Sequence, residues 1–176
     1  MSFVDVRLSA VEVERCVAFT DLVWANKTEF SVVDRKFDRR NSSYSVSLMG
    51  KLGEVAACNV FGGELDWSVS PSGDDGSDTF LDGMSVQIKT STRPLLIFND
   101  AGCFSADSAI LVQLLGERTC PESLDSVWRV WGIVSRARFM RLCYEHDFGY
   151  GSRLVLDREF VTGVEAYRLI GARSRD

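Results

Sequence analysis

Residues 86–91, Val-Gln-Ile-Lys-Thr-Ser, place an amide at Gln87 and an ammonium at Lys89 on one side of an alternating stretch. Val86 and Ile88 fall on the other side, as period-two patterning requires. Asp82-Gly83 is a preferred pair for a two-residue hairpin turn, because a type I′ turn needs positive φ at both central positions. With that turn, Leu81 pairs with Met84, Phe80 with Ser85, Thr79 with Val86 and Asp78 with Gln87. The face carrying Thr79, Leu81, Met84, Val86 and Ile88 is mainly apolar and should be buried. The other face gathers Asp78, Phe80, Ser85, Gln87 and Lys89. Asp78 and Gln87 would then have Cβ atoms roughly 5 Å apart. Two chemistries fit this face. One is a wet strand surface with an Asp–Lys contact worth under about 1 kcal/mol. The other is a metal-plus-lysine site for phosphodiester hydrolysis, since Mg²⁺ takes one or two carboxylates, waters and a substrate phosphate.

The elements that must position these groups follow from the rest of the chain. Its 176 residues suit a single domain over 1–176. Ser9 and Glu12 have the spacing of a capping box, and Val13, Cys16, Val17, Thr20 and Trp24 form a helical stripe, so a helix is predicted over 10–25. A second is predicted over 47–61, with Leu52, Val55, Ala56 and Val60 inward and Gly62-Gly63 ending it. Gly50 and Gly53 either weaken that helix or let a partner approach closely. Residues 26–45 are expected to be a loop or irregular strand. Strands are expected at 65–70, in the 78–90 hairpin, at 95–98 continuing the same sheet, at 109–115 and at 127–134. Pro71–Ser77 reads as turns, Ser135 as the cap of a helix running through about His146. Helices, then strands, then a helix define an α/β or α+β class.

Composition sets the outer limits. The hydrophobic fraction of 45% supplies a core, and no apolar run approaches the length needed to span a bilayer. The N-terminus lacks a signal-peptide pattern, and the expectation is a cytoplasmic protein. Five widely spaced cysteines without a C-x-x-C pair argue for reduced thiols rather than zinc or disulfides. The net charge of −5 does not advertise a nucleic-acid partner, but its distribution is uneven. Gly53–Gly83 holds seven acids and no base, whereas Arg35–Lys51 holds five bases against one acid, and Arg129–Arg141 holds four arginines. An acidic segment between basic ones suits a metal site flanked by phosphate-binding surfaces; solvated faces would give the same pattern.

The order Glu54 in GKLGEVAACNV, then Asp78 in DTFLDGMSVQIKTS, then Gln87-Ile88-Lys89 resembles the PD-(D/E)XK nuclease superfamily over residues 50–146. The resemblance implies an α/β, restriction-endonuclease-like core with a mixed central β-sheet flanked by helices. It implies a Mg²⁺-dependent deoxyribonuclease (Mn²⁺ can substitute), with DNA as partner and room for a homodimer that cuts two strands. Position by position, Asp78 would be the central metal ligand and Glu54 a second acid, direct or through water. The Ile88 backbone carbonyl would be a further ligand. Lys89 would position the water and stabilise the transition state. Gln87 departs from the usual acid: its amide oxygen can ligate but brings no charge, which favours one-metal chemistry. Ser77 stands where the name-giving proline would be. Arg35, Lys36, Arg39, Arg40, Lys51, Arg136, Arg138 and Arg141 are candidates for gripping phosphates.

Other motifs carry less. His146, the sole histidine, has the position of an incidental helix-terminal residue, although a base or phosphate contact is open to it. Asp147-Phe148-Gly149 lacks every other kinase element. The loop beginning at Asp74 has Ser85 where a calcium loop needs its last acid. Two readings compete with a nuclease. One is a degenerate member that binds nucleic acid or a protein without cutting; the other is an unrelated small α/β domain, in which Glu54 lies far from Asp78.

Overall fold

The computed structural model describes residues 2–29, 42–69, 76–149 and 151–167. Strand β1 (Val4–Val6) leads into helices α1 (Ala10–Glu29) and α2 (Ser43–Phe61). The hairpin follows as β2 (Thr79–Leu81) and β3 (Met84–Ser91), then β4 (Leu95–Phe98), β5 (Ser108–Leu114) and β6 (Trp128–Ser135). Helix α3 (Arg136–Leu142), β7 (Tyr144–Asp147), β8 (Ser152–Asp157) and the short β9 (Thr162–Gly163) follow, and residues 164–167 are helical at the end of the described chain. Among the described residues no helix is long and apolar enough to cross a membrane.

The fold is mixed α/β, a curled mixed sheet with helices against it. The main sheet runs β1-β6-β5-β3-β2, with β9 also on β6. β3 and β5 are parallel and the other pairs antiparallel. One face of this sheet closes on α1 and α2 through Cys16, Leu52, Ala56, Val86, Ile88 and Val130. The opposite face closes on β4, β8 and α3 through Phe98, Phe104, Leu111, Trp131 and Phe139. Successive residues of β3 therefore enter different cores, and Gln87 and Lys89 belong to the second side.

The local signals explain much of this. Ser9 and Glu12 form the reciprocal cap: the Glu12 carboxylate accepts from the Ser9 N–H at 2.7 Å, and Ser9 Oγ accepts from the Glu12 N–H at 3.4 Å. Helix α2 begins four residues earlier than the predicted 47, because Ser42 caps it by accepting from the Ser45 N–H. Gly53 resolves the ambiguity over its role: a Cβ there would lie 2.0 Å from Thr90 Oγ1, so glycine lets α2 sit close on β3. The Asp82-Gly83 turn has φ of 49° and 82°, and the three pairs from Leu81–Met84 to Thr79–Val86 form as derived.

Three expectations change. Residues 65–69 form no strand; the segment is held by side chains, with Asp66 turning back to accept from the Ser68 N–H at 2.8 Å. β4 does not extend the main sheet but pairs with β8 in a separate three-stranded sheet, β4-β8-β7. The third helix stops at Leu142, because Cys143 turns extended and Tyr144–Asp147 pairs with β8 instead. The predicted turns at 71–75 lie outside the described residues, as does 30–41 with Arg35, Lys36, Arg39 and Arg40.

Candidate functional site

Asp78 stands at the mouth of the hairpin. The Val86 carbonyl, already opposite Thr79, takes the Asp78 N–H at 2.9 Å, so two consecutive residues face one and β2 ends in a bulge. The next N–H on that edge of β3 belongs to Ile88, and Asp78 Oδ2 accepts it at 2.5 Å. A carboxylate thus continues the ladder where the backbone leaves off. Strand alternation directs the Ile88 carbonyl to the same edge. The expected Asp78–Gln87 pairing does not form.

Glu54, on α2, joins Asp78 in one recess of about 150 Å³, together with Asp66, Ser47, Ser77 and Lys51. The Cys58 thiol, on the same helix, lines a separate recess with Glu12 and Asn59. Burial above all pushes it up to about 11, and the Glu54 and Asp78 charges add to the rise. Lys51 is the cation of the Glu54–Asp78 recess, with a side chain only 8% exposed. Its Nζ donates to Glu54 Oε2 at 2.9 Å and to the Asp66 carbonyl at 2.8 Å. It also lies 4.5 Å from the Phe19 ring centre and 4.7 Å from that of Trp67. The Asp66 carboxyl is held below the usual range by the Ser68 N–H and hydroxyl.

Gln87 is elsewhere. It is 6% exposed, its Nε2 donates to the Cys103 carbonyl and its Oε1 accepts from the Ser105 N–H, both at 3.1 Å. Only an amide can do both; a carboxylate, the commoner residue in the resembled motif, has no donor for Cys103. Lys89 turns to the same side, its Nζ 5.3 Å from the Phe98 ring centre. It enters a second basin of about 250 Å³, with Arg93, Arg118, Ser91 and Thr92. The described lining of the Glu54–Asp78 recess includes neither Gln87 nor Lys89. The structure therefore brings Glu54 and Asp78 together and divides them from Gln87 and Lys89 across β3.

The remaining candidates are scattered. Lys51 is buried rather than set on a phosphate-gripping surface. Arg136 Nε donates to the Phe104 carbonyl at 2.6 Å, while Arg138 and Arg141 are exposed on α3. His146 is exposed on β7, its ring edge-on to Phe148 at 4.5 Å. Sequence reasoning missed Lys51 as a member of the acidic recess, although Lys51 and Glu54 are three apart on a predicted helix and must be neighbours. It also missed Arg93 and Arg118, which loops bring to Lys89.

Among the described residues no three His, Cys, Asp or Glu side chains form a metal-binding group. The donor type nevertheless suits Mg²⁺: two carboxylates from separate elements beside an edge carbonyl, all hard oxygens, where one or two carboxylates suffice. Comparison with known proteins finds no matching family model, no matching curated protein and no matching solved structure. The class defined by fold and site is an α/β protein with an acidic recess and a cationic basin on either side of one strand.

Proposed function

We propose that the protein is a Mg²⁺-dependent nuclease that hydrolyses DNA phosphodiester bonds, with Glu54 and Asp78 at its centre and a PD-(D/E)XK-type core. The observation that carries this reading is the shared recess: an α2 carboxylate and a hairpin-mouth carboxylate converge beside the backbone edge of Ile88. Glu54, Asp78 and the Ile88 carbonyl would hold the ion. Bound there, Mg²⁺ or Mn²⁺ supplies a more acidic water and offsets charge developing on phosphorus. The chain's own groups do the rest. The Ile88 N–H fixes the Asp78 carboxylate, and Lys51 fixes that of Glu54. Lys89, directed away from the acids, gives its charge to a phosphate rather than orienting the water. Gln87 braces the 103–105 loop and has no ligand role in this reading.

A second reading is a protein that binds nucleic acid without cutting it. Lys51 favours it, because an ammonium already sits on Glu54 Oε2. Cleavage of a panel of DNA substrates with Mg²⁺ and with Mn²⁺ separates the two. Wild-type cleavage that is lost in Asp78→Ala and Glu54→Gln supports the nuclease; equal cleavage by all three sinks it. DNA binding with no cleavage by any of them supports the second reading.

A further inference from the structure

The basin on the Lys89 side is unusual in its charge. Lys89, Arg93 and Arg118 line it, and among its described lining residues there is no carboxylate. Lys89 and Arg93 have no salt-bridge partner among the described residues. Lys89 is half-buried, its Nζ 5.3 Å from the Phe98 ring centre and its charge felt at the Cys103 thiol; Arg93 is exposed and lies 5.4 Å from the centre of the Phe148 ring. Lys89 and Arg93, like charges around one concavity, repel one another, and the repulsion is stronger where low-dielectric walls replace water. Met49, Leu95, Ile97 and Phe148 supply such walls. Lys89 could have been matched by an acid, as Lys51 is on the other side of the strand; here it is not. A bound anion would relieve the repulsion. The hydroxyls of Ser91 and Thr92 and the forked guanidinium groups match the several acceptor oxygens of a phosphate.

We infer that this basin is a phosphate-binding site and that its ligand is a backbone phosphate of a polynucleotide. The inference rests on the nuclease reading for the choice of polymer, and it deepens that reading by assigning Arg93 and Arg118. The two recesses share no lining residue, but helix α2 contributes to both. Met49 of α2 lines the basin, while Lys51 and Glu54 of the same helix line the acidic recess. Ile88 bonds Asp78, and the next side chain of β3, Lys89, enters the basin. A strand laid across β3 would have one phosphate held by the cations while a neighbouring linkage faces the carboxylates.

The test is equilibrium binding of an oligonucleotide in EDTA, where cleavage cannot intervene, over a range of salt concentrations. Each phosphate contact made by Lys or Arg contributes about one to the slope of log Kobs against log salt. Arg93→Gln should lower the slope by about one, and Arg93→Gln with Arg118→Gln by about two. Arg93→Lys with Arg118→Lys should keep it. Arg93 is exposed, so its single variant folds, and it decides the matter even if the double variant does not. An unchanged slope in Arg93→Gln overturns the inference, as does a wild-type protein that binds no oligonucleotide. Titration with inorganic phosphate alone covers the other source of the ligand: uptake of phosphate with no change of slope in the variants assigns the basin to a free anion and also overturns it. Slope loss without Asp78-dependent cleavage would leave the basin standing and remove the nuclease reading; the reverse would remove only the basin.

Discussion

The two recesses flanking β3 handle cations in opposite ways. The described lining of the first holds Glu54, Asp66 and Asp78 with one cation, Lys51, which is enclosed by the Glu54 carboxylate, the Asp66 carbonyl and two aromatic rings. The described lining of the second holds three cations and no acid. A buried charge must be paired where it stands, so Lys51 is a structural cation whose partners come from its own chain. A half-exposed charge can wait for a partner from outside, so Lys89 and Arg93 remain suited to a ligand. The difference shows that an ammonium near an acid cluster is not by that fact the working one. The resembled motif points to Lys89, but the fold sets Lys51 on the carboxylate and turns Lys89 into the other basin.

The largest expected effect is on the acidic side. Asp78→Asn keeps the shape but removes the charge, and cleavage should fall by at least about 10²-fold, the scale of losing one electrostatic contact to the transition state. Arg93→Gln, on the other side, should change cleavage mainly at high salt and low substrate, through binding. Initial rates over a substrate range distinguish the two. If Asp78→Asn acts only on KM, the two recesses have the same role and the contrast between them fails.

Stability should separate the two lysines next. Lys51→Met strips a buried ammonium from Glu54 and from the Asp66 carbonyl, and about 3–5 kcal/mol should be lost on breaking such a pair. Lys89→Met removes an ammonium with no acidic partner and should lie within about 1 kcal/mol of wild type, with either sign, since relief of repulsion offsets lost charge. Urea unfolding of both proteins checks this. Equal losses would mean that Lys89 is held by its own chain as firmly as Lys51.

What the sequence disclosed and what it hid have different physical origins. The hairpin from Thr79 to Ile88 was legible because turn chemistry and period-two patterning are local: Asp82-Gly83 sets the register, and register sets the faces. The α1 cap and the inward stripe of α2 were legible for the same reason. The bulge at Asp78 was not, since nothing local says that its carboxylate will take the Ile88 N–H. Nor could pairing alone say that the face holding Gln87 would be covered, because the cover comes from the 103–105 loop and from the second sheet. The strand expected at 65–70 failed because Asp66 and Ser68 satisfy their own backbone, a competition that alternation does not register. Arg118 reaches Lys89 only through the tertiary fold.

Gln87→Glu tests the division at the strand itself. If Gln87 is a strut, a carboxylate there loses its donor to the Cys103 carbonyl and sets charge against it, at a cost of about 1–3 kcal/mol. Faster hydrogen exchange at the Ser105 and neighbouring amides should accompany that loss. If Gln87 instead belongs to the acidic recess, the same substitution should raise cleavage at low Mg²⁺ by adding a ligand charge. Faster cleavage with unchanged stability would join the two sides that the structure keeps apart.

The smallest effect uses Cys58 as a gauge of the acidic recess. Its thiol is raised from an ordinary 9.0 to about 11, first by burial and then by the Glu54 and Asp78 charges, with Thr79 and Lys51 opposing. The folded protein therefore holds this thiol neutral where the unfolded chain would ionise. Its contribution to stability is fully present below about pH 9 and is lost as pH rises through about 11; unfolding followed from pH 8 to 11, with Cys58→Ser as the control, isolates it. Neutralising Asp78 as Asn removes one of the raising charges, so the alkylation of Cys58 should begin at lower pH. Arg93→Gln, across the strand, should leave that onset unchanged. An onset that moves with Arg93 and not with Asp78 would mean that the field at α2 comes from the cationic basin, and the separation of the two recesses would be wrong.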